Sequence, residues 1–93
     1  MNTAHKGRRA EHRARRLLEA DGYTVTRAAG SKGVADLVAW NAAGFRLVSV
    51  KSGGRYASRA ERAALVGCPV PANCSREVWR FRPRHPAPVI EVL

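Results

Sequence analysis

Two short apolar runs, each carrying one charge, constrain this chain more than anything else in it. Val34-Ala35-Asp36-Leu37-Val38-Ala39-Trp40 encloses Asp36, and Phe45-Arg46-Leu47-Val48-Ser49-Val50-Lys51 ends on Lys51. Only Asn41-Ala42-Ala43-Gly44 separates them. Two such runs joined by a tight turn predict an antiparallel hairpin. A charge that interrupts a strand is costly to bury unless it is paired or bound to a metal. Side chains alternate along a strand, so Ser49 and Lys51 face the same way. A normal hairpin register lets Asp36 meet them.

The flanking sequence completes an α+β pattern. Residues 3–20 read as a helix, with Gly22 as its stop. Ala14, Leu17 and Leu18 give it an apolar face, and Lys6, Arg9, Arg13 and Arg16 form a basic stripe opposite. Glu11 lies in line with Ala14 and Leu18, on the inward side. Its spacing allows ion pairs with Arg8 or Arg15. A helix packed over the sheet would instead add it to Asp36, Ser49 and Lys51. Residues 23–29 read as a strand and Gly30-Ser31-Lys32-Gly33 as a loop. Residues 35–40 and 45–51 complete a β-meander. Ser58-Arg59-Ala60-Glu61 is a capping box that opens a short helix to about Val66. Residues 77–81 and 89–92 read as two more strands, joined by a Pro-rich surface turn. The order is αβββαββ, and 93 residues hold one domain, 1–93.

The formal net charge of +10 makes nucleic acid the first-choice partner. Most of the excess is arginine, whose planar fork of donors matches phosphate. No apolar run approaches the ~20 residues that span a bilayer. The N-terminus lacks an apolar secretory segment, so a cytoplasmic protein is expected. Cys68 and Cys74 are too few for a disulfide framework, and with His85 they fit no usual zinc spacing. Tyr23 and Tyr56 could stack on bases, with packing the better role for Tyr23. Trp40, Phe45, Trp79 and Phe81 are expected in the core or on a dimer surface.

Taken in order, Glu11, Gly30-Ser31, Ala35-Asp36-Leu37-Val38 and Leu47-Val48-Ser49-Val50-Lys51-Ser52 resemble the PD-(D/E)XK nuclease superfamily. Within it the chain looks most like the small archaeal-type Holliday junction resolvases, including phage-borne ones. The resemblance implies a restriction-endonuclease-like α/β fold with a mixed central sheet. It implies Mg²⁺- or Mn²⁺-dependent hydrolysis of phosphodiester bonds in branched DNA by a homodimer. In that pattern Glu11 and Asp36 hold the metal, with the Val50 carbonyl a further ligand. Lys51 assists the attacking water, and Ser31 and Ser49 belong to the site. Lys6, Arg9, Arg13, Arg16, Arg27, Lys32 and Arg55 are the candidate phosphate contacts.

Two positions depart from the pattern. Ala35 stands where the family often has Pro. Ser49 stands where it usually has Glu, so one metal-binding carboxylate is lost. That leaves a weaker or water-bridged metal site, a replacement acid from Glu61 or Glu77, or a non-cutting DNA-binding module that kept the fold. A basic RNA-binding protein is a further alternative, although the chain lacks an aromatic RNA-reading motif.

Overall fold

The computed structural model describes the backbone of residues 3–28 and 34–93, with side chains from residue 7 onward. The elements are α1 (Thr3–Ala20), β1 (Thr24–Arg27), β2 (Leu37–Asn41), β3 (Gly44–Lys51), α2 (Arg59–Gly67), β4 (Cys74–Arg80) and β5 (Val89–Val92). Their order is the αβββαββ expected from sequence. The sheet runs β1-β2-β3-β4-β5 and is mixed. Neighbours are antiparallel except β3 and β4, which run parallel because α2 carries the chain across between them.

α1 stops on a hydrogen-bonded cap. The Gly22 N–H donates to the Glu19 carbonyl and the Tyr23 N–H to the Leu18 carbonyl, both at 3.0 Å. This pairing needs a left-handed residue at the stop, and Gly22 supplies it at φ 91°. The inward line of the helix is Ala10, Ala14 and Leu18, all buried. Leu17, expected on that line, is 42 % exposed. Each residue turns the helix by about 100°, so four-residue spacing keeps Ala10, Ala14 and Leu18 in line and swings Leu17 away.

The two helices take opposite faces of the sheet. α1 covers Val25, Leu37, Ala39, Val48, Trp79 and Phe81, with Tyr23 and Val50 at the margin. Leu65 of α2 packs with Ala35 and Val78 on the other face, beside Leu47. Ser49 and Lys51 alternate with Val48 and Val50, so they belong to the α2 face. α2 opens with the expected capping box between Ser58 and Glu61. A pair of hydrogen bonds donated by the Arg62 guanidinium to the Glu91 carboxylate of β5, each 2.6 Å, ties α2 to the sheet.

The start of β4 differs from the sequence expectation for a physical reason. β4 begins at Cys74 rather than residue 77, because each position from Phe45 to Lys51 finds a parallel partner from Cys74 to Arg80. The polar start of that strand is tolerated because Glu77 is fully bonded. It accepts from Arg46 at 2.7 and 2.8 Å, from Ser75 at 2.5 Å and from Trp79 at 2.9 Å. Arg46 in turn lies over the rings of Tyr23 and Trp79. The β2–β3 turn is tight as expected, with the Ala43 N–H donating to Asn41 Oδ1 at 2.8 Å. Gly44 is required there, since a Cβ would collide with the Asn73 carbonyl oxygen. Phe45 is 40 % exposed and Trp40 partly buried, so neither is a core residue.

Candidate active site at the β2–β3 fork

Asp36 sits just before β2, where the ladder with β3 changes. Its N–H donates to the Val48 carbonyl at 2.9 Å, although Val48 already faces Leu37. Asp36 and Leu37 thus oppose a single residue, the arrangement of a β-bulge. The extra residue also explains why Ala35 packs on the α2 face while Leu37 packs on the α1 face. Bulges re-aim side chains, and this one turns the Asp36 carboxylate toward β3. There Oδ2 accepts from the Val50 N–H at 2.6 Å. Val50 therefore meets Asp36 through its amide, and its side chain packs toward α1.

The chain has seven acids against seventeen lysines and arginines. Glu11, Glu19, Asp21, Glu61, Glu77 and Glu91 each lie within ion-pair distance of a cation. Among the described residues Asp36 has none. In so basic a protein, an acid held by one backbone N–H and left without a cation is the least expected charge in the fold.

Ser49 and Lys51 share the α2 face as expected, but their surroundings differ. Ser49 is 8 % exposed. The Lys51 ammonium meets the Glu61 carboxylate. Glu61 comes from the third position of α2, where its Oε1 also accepts from the Ser58 N–H at 2.8 Å. The Lys51 ammonium, aided by that amide, holds the Glu61 carboxyl down at about 2. Of the two acids that could replace the missing carboxylate, Glu61 stands beside Lys51. Glu77 is consumed by Arg46, Ser75 and Trp79 on the α1 face. Arg80 faces Lys51 in the parallel register and lies over the Tyr56 ring at 4.1 Å. Sequence reasoning missed Arg80. The signal was available, because alternation places Arg80 with Val78 on the α2 face once β4 is registered against β3.

Glu11 is positioned differently from both sequence alternatives. It bonds neither Arg8 nor Arg15, but accepts from Arg27 Nε of β1 at 3.1 Å. Arg15 pairs with Glu19 instead. α1 does pack over the sheet, but on the face opposite the Ser49 and Lys51 side chains. Glu11 lines a pocket of about 190 Å³ that also includes Arg27 and Leu37, the residue after Asp36. Glu11 and Lys51 thus approach the β2–β3 fork from opposite sides of the sheet.

The basic residues divide. Arg27 is committed to Glu11. Arg9, Arg13, Arg16 and Arg55 are exposed. Lys6 lies in α1 with its side chain outside the described residues, and Ser31 and Lys32 fall outside them altogether.

The donor set suits a hard cation of the kind that keeps much of its water. Among the described residues no three His, Cys, Asp or Glu side chains converge on one point. Magnesium commonly needs only one or two carboxylates, with water and substrate phosphate completing its shell. Asp36, with one oxygen accepting from a backbone amide and no cation beside it among the described residues, fits that requirement.

Comparison with known proteins agrees with this fold. The family model for the archaeal Holliday junction resolvase matches residues 2–65. Nucleases of this family generally use divalent metals. The structure of Hjc from Archaeoglobus fulgidus, a Holliday junction resolvase from an archaeal hyperthermophile, is 26 % identical. It superposes with a TM-score of 0.71, covering 83 % of this chain and 68 % of that one. No curated protein matches the sequence. The mixed five-stranded sheet with two helices is the restriction-endonuclease-like fold of that relative. The chain belongs to the archaeal Holliday junction resolvase family, a family of structure-selective junction endonucleases.

Proposed function

We propose that this protein cuts four-way DNA junctions by Mg²⁺- or Mn²⁺-dependent phosphodiester hydrolysis, as a homodimer in the cytoplasm. The observation that carries the reading is Asp36, turned by a bulge onto the strand that ends in Lys51. Asp36, with Glu11 from the other side of the fork, would hold the ion. When bound, a divalent cation neutralises charge on the phosphate and makes water acidic enough to attack near neutral pH. Lys51 supplies an ammonium beside the scissile phosphate, where it orients the attacking water and offsets charge that grows in the transition state. Attack breaks one P–O bond and leaves a phosphate end and a hydroxyl end. Glu61 fills the charge vacancy left by Ser49, reaching Lys51 from α2 rather than from β3. Arg80 and the exposed arginines of α1 bind flanking backbone. A twofold dimer would present two such sites to symmetry-related strands.

A second reading is favoured by one feature. Ser49 is neutral and buried where the family usually has Glu, which suits a module that binds junctions without cutting them. Titrating Mg²⁺ and Mn²⁺ against cleavage of a four-way junction separates the two. Metal-dependent nicks near the branch point support the nuclease. Tight junction binding with no nicks at any metal concentration supports the binding module.

No helix among the described residues is long and apolar enough to cross a membrane. A test for the dimer is sedimentation of the free protein and of its junction complex, with two copies per junction expected.

A further inference from the structure

A second basic site lies at the sheet end, where residues inside the family match meet the loop after β4, which lies beyond it. A pocket of about 410 Å³ is lined by Arg9 and Arg13 of α1, Ser52 and Gly53 after β3, and Phe81, Arg82 and Arg84 after β4. Its lining holds four arginines and no acid. Among the described residues Arg9, Arg82 and Arg84 have no acidic partner, whereas Arg15, Arg27, Arg46 and Arg62 each have one. Gathering unpaired guanidinium groups opposes folding through like-charge repulsion, and a polyanion would relieve it.

The pocket is also fixed in place. Arg13 Nη2 donates to the Pro86 carbonyl at 2.6 Å, and its guanidinium lies 4.7 Å from the Phe81 ring centroid. The Gly54 N–H donates to the Phe81 carbonyl at 3.0 Å, and the Phe81 N–H to the Lys51 carbonyl at 2.8 Å. These bonds bind α1, the turn after β3 and the loop after β4 into one wall. Arg84 is the only described residue other than glycine with positive φ, at 62°. That conformation costs an L-residue about 1–2 kcal/mol. Such strain tends to persist where the side chain it aims has a function.

We propose that this pocket binds a backbone phosphate of the DNA, next to the one that is cut. Ser52 directly follows Lys51, so the pocket opens one residue from the catalytic strand end. Phosphates along one strand rise by about 3.4 Å per nucleotide, so neighbours of a scissile phosphate fall within reach. The pocket is large enough for a phosphodiester with part of its sugar, on the scale of ~300 Å³ and above that small ligands occupy. Arginine forks grip phosphate oxygens in pairs. This site rests on the junction-binding reading but not on cleavage, so the two can fail separately.

The test measures binding of a labelled four-way junction across a chloride series without divalent metal. The variants are Arg82→Ala with Arg84→Gly, and Arg82→Lys with Arg84→Lys. Glycine accepts the left-handed backbone at residue 84, so the first variant removes the side chain without straining the loop. Both should keep the wild-type melting temperature. The first should bind at least tenfold more weakly near physiological salt. Its log K against log salt should be shallower by about 0.9 for each phosphate the pocket takes. The lysine variant should keep the wild-type slope, because it keeps the charge. Wild-type affinity and slope in the first variant would overturn the proposal. A reduced slope in a protein that never cuts junctions would leave the pocket standing and remove the nuclease reading.

Discussion

Replacing Glu61 with Gln separates the two tasks that one carboxylate holds. Oε1 accepts from the Ser58 N–H, and Oε2 meets Lys51. Glutamine keeps an oxygen for Ser58, and the Ser58 hydroxyl still accepts from the backbone N–H of residue 61 at 3.0 Å. The helix start should therefore survive. What disappears is the ion pair, whose side chains are 17 % exposed for Lys51 and 40 % for Glu61. Pairs open to water on one side contribute about 0.2–1 kcal/mol. In a domain of this size 1 kcal/mol shifts the melting temperature by about 4–8 °C, so the loss should stay within a few degrees. Losing a partner that orients a metal site or its neighbours typically costs about 10–100-fold in activity or metal affinity. The assay pairs thermal melting with cleavage of a four-way junction over a Mn²⁺ series, and with Mn²⁺ binding by the DNA-free protein. Glu61→Ala should lose up to about 1 kcal/mol more, because it also removes the acceptor of the Ser58 N–H, one half of the capping box. A Gln variant that cuts and binds Mn²⁺ like wild type would refute the reasoning and leave Glu61 as a helix cap.

Asp36→Asn should abolish cleavage while junction binding and folding persist, since the amide oxygen can still accept from the Val50 N–H; gel shift and melting curves check both. Glu77→Gln should destabilise by about 3 kcal/mol, the scale of breaking one side of a buried ion pair. The same variant should flatten the acid limb of stability. Burial alone would raise the Glu77 carboxyl, but bonds from Arg46, Ser75 and Trp79 hold it below its usual value near 4.5. Its contribution is complete above the unfolded carboxyl range and disappears as pH falls through the lower folded value, which melting between acid and neutral pH will show. Gly44→Ala should lower the melting temperature through the Asn73 collision, without changing junction affinity per folded molecule.

The fold was legible because its signals are local and agree. The capping box at Ser58 and Glu61, the stop at Gly22 and the turn before Gly44 each fix one boundary by their own chemistry. The length of β4 was not legible, since Cys74, Ser75 and Arg76 look unlike a strand until their parallel register against β3 is known. The site was half legible. Alternation alone placed Ser49 with Lys51, but no periodicity reveals which face a helix will cover. Of the two expectations for Glu11, one paired it with Arg8 or Arg15 and the other put it with Lys51; it lies across the sheet from Lys51, paired with Arg27. The bulge at Asp36 was equally hidden, because it depends on one hydrogen bond to Val48. Arg82 and Arg84 read as a surface turn, and only the folded chain brings them to Arg9 and Arg13.

The central claim is that Asp36 and Lys51 still cut DNA although Ser49 has replaced a carboxylate. Single-turnover cleavage of a four-way junction and a linear duplex of the same sequence tests it most directly, for wild type and Lys51→Ala, with Mn²⁺. Wild type should nick the junction and spare the duplex, and Lys51→Ala should bind the junction without nicking it. Equal cleavage by wild type and Lys51→Ala, or none by wild type at any metal concentration, would contradict it.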